Sequence, residues 1–364
     1  MKGIKDFNFQ GRRVLVRCDF NVPLGKEELL AKRTLSSSSE PSFPSEMKVL
    51  DDFRIKETLP TIKYLIEKGA RVILMTHLGR PGGRVVENLR ITPIQEKIIE
   101  HLGLPIAKAK DCIGLEVEKQ VQEMQPGEIL LLENLRFHKE EEEGDSGFAK
   151  ELAKLGDIYI NDAFGACHRA HASVVEITKH LPSGAGFLLE KEIKVLTELM
   201  ESPQKPLVAV VGGAKVETKA GLINKISAVA DFVLLGGLIS KEMKEKGISL
   251  DCPEKIVKPL DDVEGKDIGR KTRELFRQKI LLAKTVFFNG TLGMTEKEEF
   301  SLGTKAILQA IIDSQTFSVV GGGETVEFIQ KLGLTDRFNH VSTGGGAMIA
   351  FLAGEKLPGI KALK

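Results

Sequence analysis

Two sets of short strings in this sequence carry residue types suited to phosphorylated, anionic ligands. In the first half, apolar runs are followed by Asp19-Phe20-Asn21-Val22-Pro23, Asp51-Asp52-Phe53-Arg54, His77-Leu78-Gly79-Arg80-Pro81, Glu133-Asn134-Leu135-Arg136-Phe137 and His168-Arg169-Ala170-His171-Ala172-Ser173. Arginine makes forked, charge-assisted hydrogen bonds to carboxylate and phosphate. Arg54, Arg80, Arg136 and Arg169, joined by His77, would suit a small acid that carries both groups. Any one of these arginines alone reads as an ordinary surface ion-pair partner. Their recurrence after successive apolar runs is what favours a site. His168 and His171 are metal-ligand types, but anion contact or packing is the better reading.

The second half repeats the arrangement with glycine in place of charge. Its turns are Gly212-Gly213-Ala214-Lys215-Val216, Gly236-Gly237-Leu238, Asn289-Gly290-Thr291-Leu292-Gly293, Gly321-Gly322-Gly323-Glu324-Thr325 and Ser342-Thr343-Gly344-Gly345-Gly346-Ala347. A lone glycine pair serves any tight turn. A series of them after apolar runs points to phosphates held by backbone N–H groups and helix N-termini. Lys215 and Lys219, four apart at a helix start, would add positive charge on one face. No G-x-x-x-x-G-K-[ST] string occurs, so this is not a P-loop. No G-x-G-x-x-G opens a βαβ unit, which weighs against a dinucleotide oxidoreductase.

These turns must be positioned by a scaffold, and the sequence shows one. Short apolar runs alternate with helix-like segments such as Ile94–His101 and Glu190–Glu201, the pattern of α/β folds with parallel sheets. The runs are Val14–Val16, Val72–Met75, Ile129–Leu132 and Ile158–Ile160, then Leu207–Val211, Phe232–Leu235, Val286–Phe288, Phe317–Val320 and His340–Val341. In open α/β sheets ligands sit beyond the carboxyl ends of strands, where the turns above fall. At 364 residues, 42% of them hydrophobic, the chain is long enough for two domains with substantial cores. The Pro/Gly/Ser stretch Leu181–Gly186 is the expected boundary. It divides a first lobe, residues 1–184, from a second, residues 185–347. Within the first lobe, residues 25–47 hold four consecutive serines and no clear period, and read as a flexible surface insertion.

The remaining composition excludes several classes. A net charge of +1 argues against a dedicated nucleic-acid or membrane-surface binder. Cys18, Cys112, Cys167 and Cys252 are scattered without a CxxC pair, so neither a zinc site nor a disulfide framework is indicated. With no apolar signal core and no run of about 20 apolar residues, a cytoplasmic protein is expected.

The strings DFNVP, HLGRP, ENLRF, HRAHAS, GGAKV and STGGGA, in this order, resemble phosphoglycerate kinase from about Gly11 to Leu363. The resemblance implies two Rossmann-like lobes joined by a hinge, with residues 348–364 packing back on the first lobe. It implies a monomer that moves a phosphoryl group between 1,3-bisphosphoglycerate and ADP, giving 3-phosphoglycerate and ATP, with Mg²⁺ carried on the nucleotide. By the same resemblance Asp19, Asn21, Arg54, His77, Arg80, Arg136 and Arg169 would hold 3-phosphoglycerate. Gly213, Lys215, Lys219, Gly237, Asn289, Glu296, Gly323 and Thr325 would hold nucleotide, and Glu324 the metal. Arg54, Lys215, Gly322 and Gly345 would act on the group in flight.

Departures from the family pattern cluster on the nucleotide side. The chain is shorter between Leu238 and Gly269. Arg270 and Thr291 stand where proline is usual, Thr295 where phenylalanine is usual, and Glu324 where aspartate is usual. An alternative from another class is therefore a weakened paralogue that binds phosphorylated acids or partner proteins. A dehydrogenase with two Rossmann-like lobes is the third reading.

Overall fold

The computed structural model describes residues 1–26 and 47–364. The expected insertion at 25–47 lies almost wholly outside them. Its flanks pair as an antiparallel ladder, β2 (Leu24–Lys26) with β3 (Met47–Val49).

Two compact units are formed, Met1–Lys191 with Pro358–Lys364, and Glu192–Leu357. The first is built on a six-stranded parallel sheet. Its strands are β1 (Arg13–Arg17), β4 (Arg71–Met75), β5 (Ala107–Lys108), β6 (Ile129–Leu131), β7 (Ile158–Asn161) and β8 (Ser183–Ala185), in the order β5-β6-β4-β1-β7-β8. Parallel strands are covered on both faces, so their sequences read as unbroken apolar runs. Val14, Val72, Leu74, Leu131 and Ile160 are accordingly buried in one core. Helix α1 (Phe53–Glu67) buries Ile55, Leu59, Ile62 and Leu65, spaced at the helical period. The other helices of this unit are α2 (Thr92–Leu102), α3 (Leu115–Glu123), α4 (Lys139–Glu143) and α5 (Ser146–Ala153).

Strand β8 lies in the Leu181–Gly186 stretch that the composition marks as a boundary. Its backbone pairs with Tyr159–Asn161. Gly184 is needed there because a Cβ would meet the Phe7 ring at 2.5 Å. The division between units falls later, inside α6 (Phe187–Glu201).

The second unit repeats the plan with β9 (Leu207–Val211), β10 (Phe232–Leu235), β11 (Ile256–Val257), β14 (Thr285–Asn289), β15 (Phe317–Gly321) and β16 (His340–Val341), ordered β11-β10-β9-β14-β15-β16. Its helices are α7 (Val216–Val229), α8 (Gly237–Glu245), α9 (Arg270–Leu281), α10 (Leu302–Ser314), α11 (Gly323–Lys331) and α12 (Gly346–Leu352). A small antiparallel hairpin, β12 (Asp262–Val263) with β13 (Asp267–Ile268), fills part of the 238–269 stretch. The tail is divided. Helix α12 belongs to the second unit, whereas α13 (Pro358–Lys361) belongs to the first, where the Gly359 N–H donates to the Cys167 carbonyl. No helix among the described residues is long and apolar enough to cross a membrane.

Each sheet has one switch point, where successive connections depart in opposite directions. In the first unit it lies between β1 and β7, and in the second between β9 and β14. A crevice opens at such points, and the motif turns follow the strands on either side of them.

Candidate active site

In the first unit β1 ends in Arg17, and the chain turns at once into Asp19 and Asn21. Arg54, in the first turn of α1, donates from Nη1 to Asp19 Oδ2 at 2.5 Å. Asn21 Oδ1 accepts from the Gly79 N–H at 2.9 Å, and Arg136 Nη1 donates to the Gly79 carbonyl at 2.7 Å. The turn after β4 is therefore pinned from two sides. Asn134 pins it from a third, since its amide accepts from the Leu78 N–H and donates to the Leu78 carbonyl. Arg169 Nε donates to His168 Nε2 at 3.2 Å. Arg80 is exposed, with no ion pair or side-chain hydrogen bond among the described residues.

Positive charge is in excess here, and the buried groups record it. Burial, reinforced by Arg17, Arg136, Arg54 and Arg169, holds the His77 imidazole well below its ordinary value. His171 is pushed down to about 3, by burial first and then by Arg136, Arg17 and Arg169. Burial likewise lowers Arg136 to about 10, with Glu142 opposing and Arg169 and Arg17 adding to the shift. Arg136 Nε lies 3.2 Å from Glu142 Oε1, yet without the alignment of a hydrogen bond. A donor left in that state is ready for an anionic acceptor.

Arg17 is the member of this cluster that the motif strings miss. It is fully buried. A buried guanidinium is tolerable only when its donors are satisfied. Its Nε donates to Ser173 Oγ at 2.8 Å, Nη1 to the Cys18 carbonyl, and Nη2 lies 3.2 Å from His77 Nδ1. Ser173 Oγ in turn donates to Glu141 Oε1 at 2.6 Å. The only local trace in the sequence is a charge directly after the apolar run Val14–Val16, and it does not show what Arg17 contacts.

The second unit uses backbone. Helices α7, α8, α11 and α12 begin at Lys215, Gly236, Gly322 and Gly345, each just beyond the end of a strand. Their first N–H groups have no partner within their own helix and carry the positive end of its dipole. Gly290 adopts φ +84°, and a Cβ there would collide with the Gly212 carbonyl. Gly322 adopts φ +99°, and its Cβ would meet Asn289 Nδ2 at 2.9 Å. Glycine is required at both positions. Lys219 is buried, donates to the Gly212 carbonyl, and is pulled down to about 8 by burial, against the raising influence of Glu324 and Glu242. Asn289 is fully buried with both side-chain polar atoms unpartnered. Thr325 Oγ1 accepts from the Gly290 N–H at 2.9 Å. Lys215, an exposed residue at φ +66°, is in a backbone conformation unusual for any residue but glycine. Gly213 is brought next to Lys219, since its Cβ would meet Nζ at 2.6 Å. Gly237, Gly323 and Glu324 all sit in first helical turns, whereas Glu296 is exposed beyond β14.

The last glycine turn has a buried brace that the motif strings do not reveal. Glu192 accepts from the Thr343 N–H at 2.6 Å and from Thr343 Oγ1 at 2.9 Å, and lies 2.9 Å from His340 Nε2.

One unit thus offers an arginine-rich cradle and the other a ring of helix N-termini. The family model described as phosphoglycerate kinase matches residues 40–251 and 244–355. The chain belongs to the phosphoglycerate kinase family. The two matches meet at 244–251, inside the stretch that is short relative to the family pattern. The phosphoglycerate kinase of Dictyoglomus turgidum is 42% identical over 407 aligned positions, covering 99% of this chain and 98% of that one. That of Moorella thermoacetica is 39% identical, with the same coverage. Among solved structures, phosphoglycerate kinase from Pyrococcus horikoshii superposes with a TM-score of 0.83 at 33% identity, covering 100% of this chain and 98% of that one. The Coxiella burnetii enzyme gives 0.78 at 31% identity, covering 99% and 98%.

Proposed function

We propose that this chain transfers a phosphoryl group reversibly between 1,3-bisphosphoglycerate and MgADP, giving 3-phosphoglycerate and MgATP in glycolysis and gluconeogenesis. The observation that carries the reading is the gathering of Arg17, Arg54, Arg136 and Arg169 around the neutral His77, in a chain whose family is phosphoglycerate kinase. A carboxyl-phosphate acid supplies the missing negative charge.

In this reading Asp19, Asn21, Arg54, His77, Arg80, Arg136 and Arg169 hold 3-phosphoglycerate. Arg54 also reaches the transferring phosphoryl group. Gly213, Lys215, Lys219, Gly237, Asn289, Glu296, Gly323 and Thr325 hold the nucleotide. Lys215 follows the moving group, and Gly322 and Gly345 supply N–H donors. The attacking group in the reverse direction is a carboxylate, already ionised at neutral pH, so no general base is needed. The residues position and stabilise charge, which is what phosphoryl transfer requires.

Glu324 is an exposed hard oxygen donor in the first turn of α11. It belongs to no group of three or more acidic, histidine or cysteine ligands among the described residues. One carboxylate suits Mg²⁺, which keeps waters and takes its other oxygens from substrate phosphates. Bound there, the ion would neutralise charge on the phosphates. Hinge closure that excludes water from the group in flight belongs to the same reading, as does a cytoplasmic monomer.

An ADP-dependent assay on 1,3-bisphosphoglycerate tests the proposal, with ATP as the readout. Turnover is the expected result. Binding of 3-phosphoglycerate without turnover would instead identify a weakened paralogue.

A further inference from the structure

Away from both ligand clusters, three side chains of different chemistry meet on the first unit. Asp111 and Cys112 follow β5. His138 follows the helical turn Leu135–Phe137. His138 Nε2 lies 2.6 Å from Asp111 Oδ1, and the Cys112 N–H donates to the same oxygen at 2.7 Å. One ligand atom from each residue falls within 4.8 Å of the other two. Cys112 is buried, His138 half-buried and Asp111 exposed, so the cluster is reached by solvent at its carboxylate.

We propose that Asp111, Cys112 and His138 form a binding site for a borderline-soft divalent cation of the Zn²⁺ class. Thiolate, imidazole and carboxylate are the donors zinc takes, whereas Mg²⁺ and Ca²⁺ take oxygen. Bonds of about 2.0–2.3 Å to a tetrahedral centre put ligand atoms roughly 3.3–3.8 Å apart. The three atoms already lie within 4.8 Å of one another, a span that brackets that spacing. The ion would insert between Asp111 and His138, exchanging their hydrogen bond for two metal bonds, and the proton on His138 Nε2 would leave to solvent so that the imidazole binds neutral with its remaining proton on Nδ1. Cys112 would release its thiol proton to solvent and bind as thiolate. Water fills the fourth position. Sequence spacing cannot show this site, because its ligands come from segments brought together only by the turns after β5 and β6. The proposal rests on these three side chains and does not involve Glu324 or the kinase reading.

The competing view is that the Asp111–His138 pair only fastens one loop to another. Metal-free, full-length protein titrated with Co²⁺, without nucleotide or phosphate, separates the two. The expected result is one equivalent bound, with a sulfur-to-cobalt charge-transfer band that Zn²⁺ displaces. Cys112→Ser should abolish the band. His138→Gln and Asp111→Asn should keep it but weaken Co²⁺ binding at least about tenfold, the scale on which even outer-shell partners matter. The proposal is overturned if the wild-type protein shows no thiolate band, or if the band survives Cys112→Ser. Should Cys112→Ser not fold, unchanged affinity in both other variants overturns it equally.

Discussion

Around Arg17 and His77 the first unit gathers charged side chains, each of which must be kept in place by neighbours when no ligand is bound. Arg54 leans on Asp19, Arg136 on the Gly79 carbonyl, and Arg17 on Ser173 and Cys18. Around Asn289 and Lys219 the second unit gathers helix starts and glycines, and leaves the Asn289 side-chain amide without a partner among the described residues. The contrast follows from the ligands proposed. A small acid offers few atoms and is held by forked donors that reach in from several elements. A nucleotide offers a string of phosphates, for which close backbone approach matters more than reach. The first solution should be most sensitive to loss of a charge, and the second to a Cβ added where backbone approaches backbone.

Arg54→Ala should break the side-chain half most severely. Turnover should fall by about 10²–10³, the scale for losing one donor to charge that develops in the transition state. The urea midpoint should move little, since Arg54 is partly exposed. A variant keeping more than a third of wild-type turnover would remove Arg54 from the site.

Gly290→Ala is the matching test of the backbone half. Its φ of +84° and the collision with the Gly212 carbonyl should cost of order 1–3 kcal/mol of stability. ADP affinity should drop while 3-phosphoglycerate affinity stays unchanged, as read by calorimetry. Equal losses for both ligands would dissolve the distinction between the units.

Lys219 sharpens the comparison, being the buried charge among the glycines. Its ammonium, lowered to about 8, is present at neutral pH. ADP affinity should therefore decline as pH rises through about 8, and Lys219→Met should flatten that profile. The stability sign is opposite. The folded lysine titrates below the unfolded value of about 10.4, so stability is lower below pH 8 and recovers between about 8 and 10.4. Denaturant titrations across that range would show it, and a flat curve would count against a buried charge.

A smaller effect is expected at Glu324. Glu324→Ala should raise the Mg²⁺ concentration for half-maximal rate severalfold, and Glu324→Asp should retain activity. An unchanged metal requirement with lower thermal stability would show that Glu324 only complements the helix dipole, worth about 0.3–1 kcal/mol.

A pH-dependent effect belongs to His77 and His171. Both fold neutral, His77 well below its ordinary value and His171 near 3. The unfolded chain takes up protons near pH 6.5 that the folded chain refuses, so stability should decline progressively as pH falls below about 6.5. Adding 3-phosphoglycerate should raise the His77 value by supplying negative charge, visible in its NMR titration. No ligand-induced change would place His77 outside the acid site.

What the sequence determined on its own was the scaffold and the kind of chemistry. Parallel strands buried on both faces must be apolar without interruption, so Leu207–Val211 and Phe232–Leu235 are legible to the residue. Strands that lack such runs were not. Ser183–Ala185 and Ile256–Val257 are edge strands whose pairing is written in their neighbours' backbones. The arginine and glycine turns were legible because each string is local. Arg17 was not, because its role depends on Ser173, more than a hundred residues away. Nor could local strings show that Glu192 braces His340 and Thr343, or that Asp111 and Cys112 meet His138. Those sites bring together residues far apart in the chain, and only the folded sheets decide which turns become neighbours.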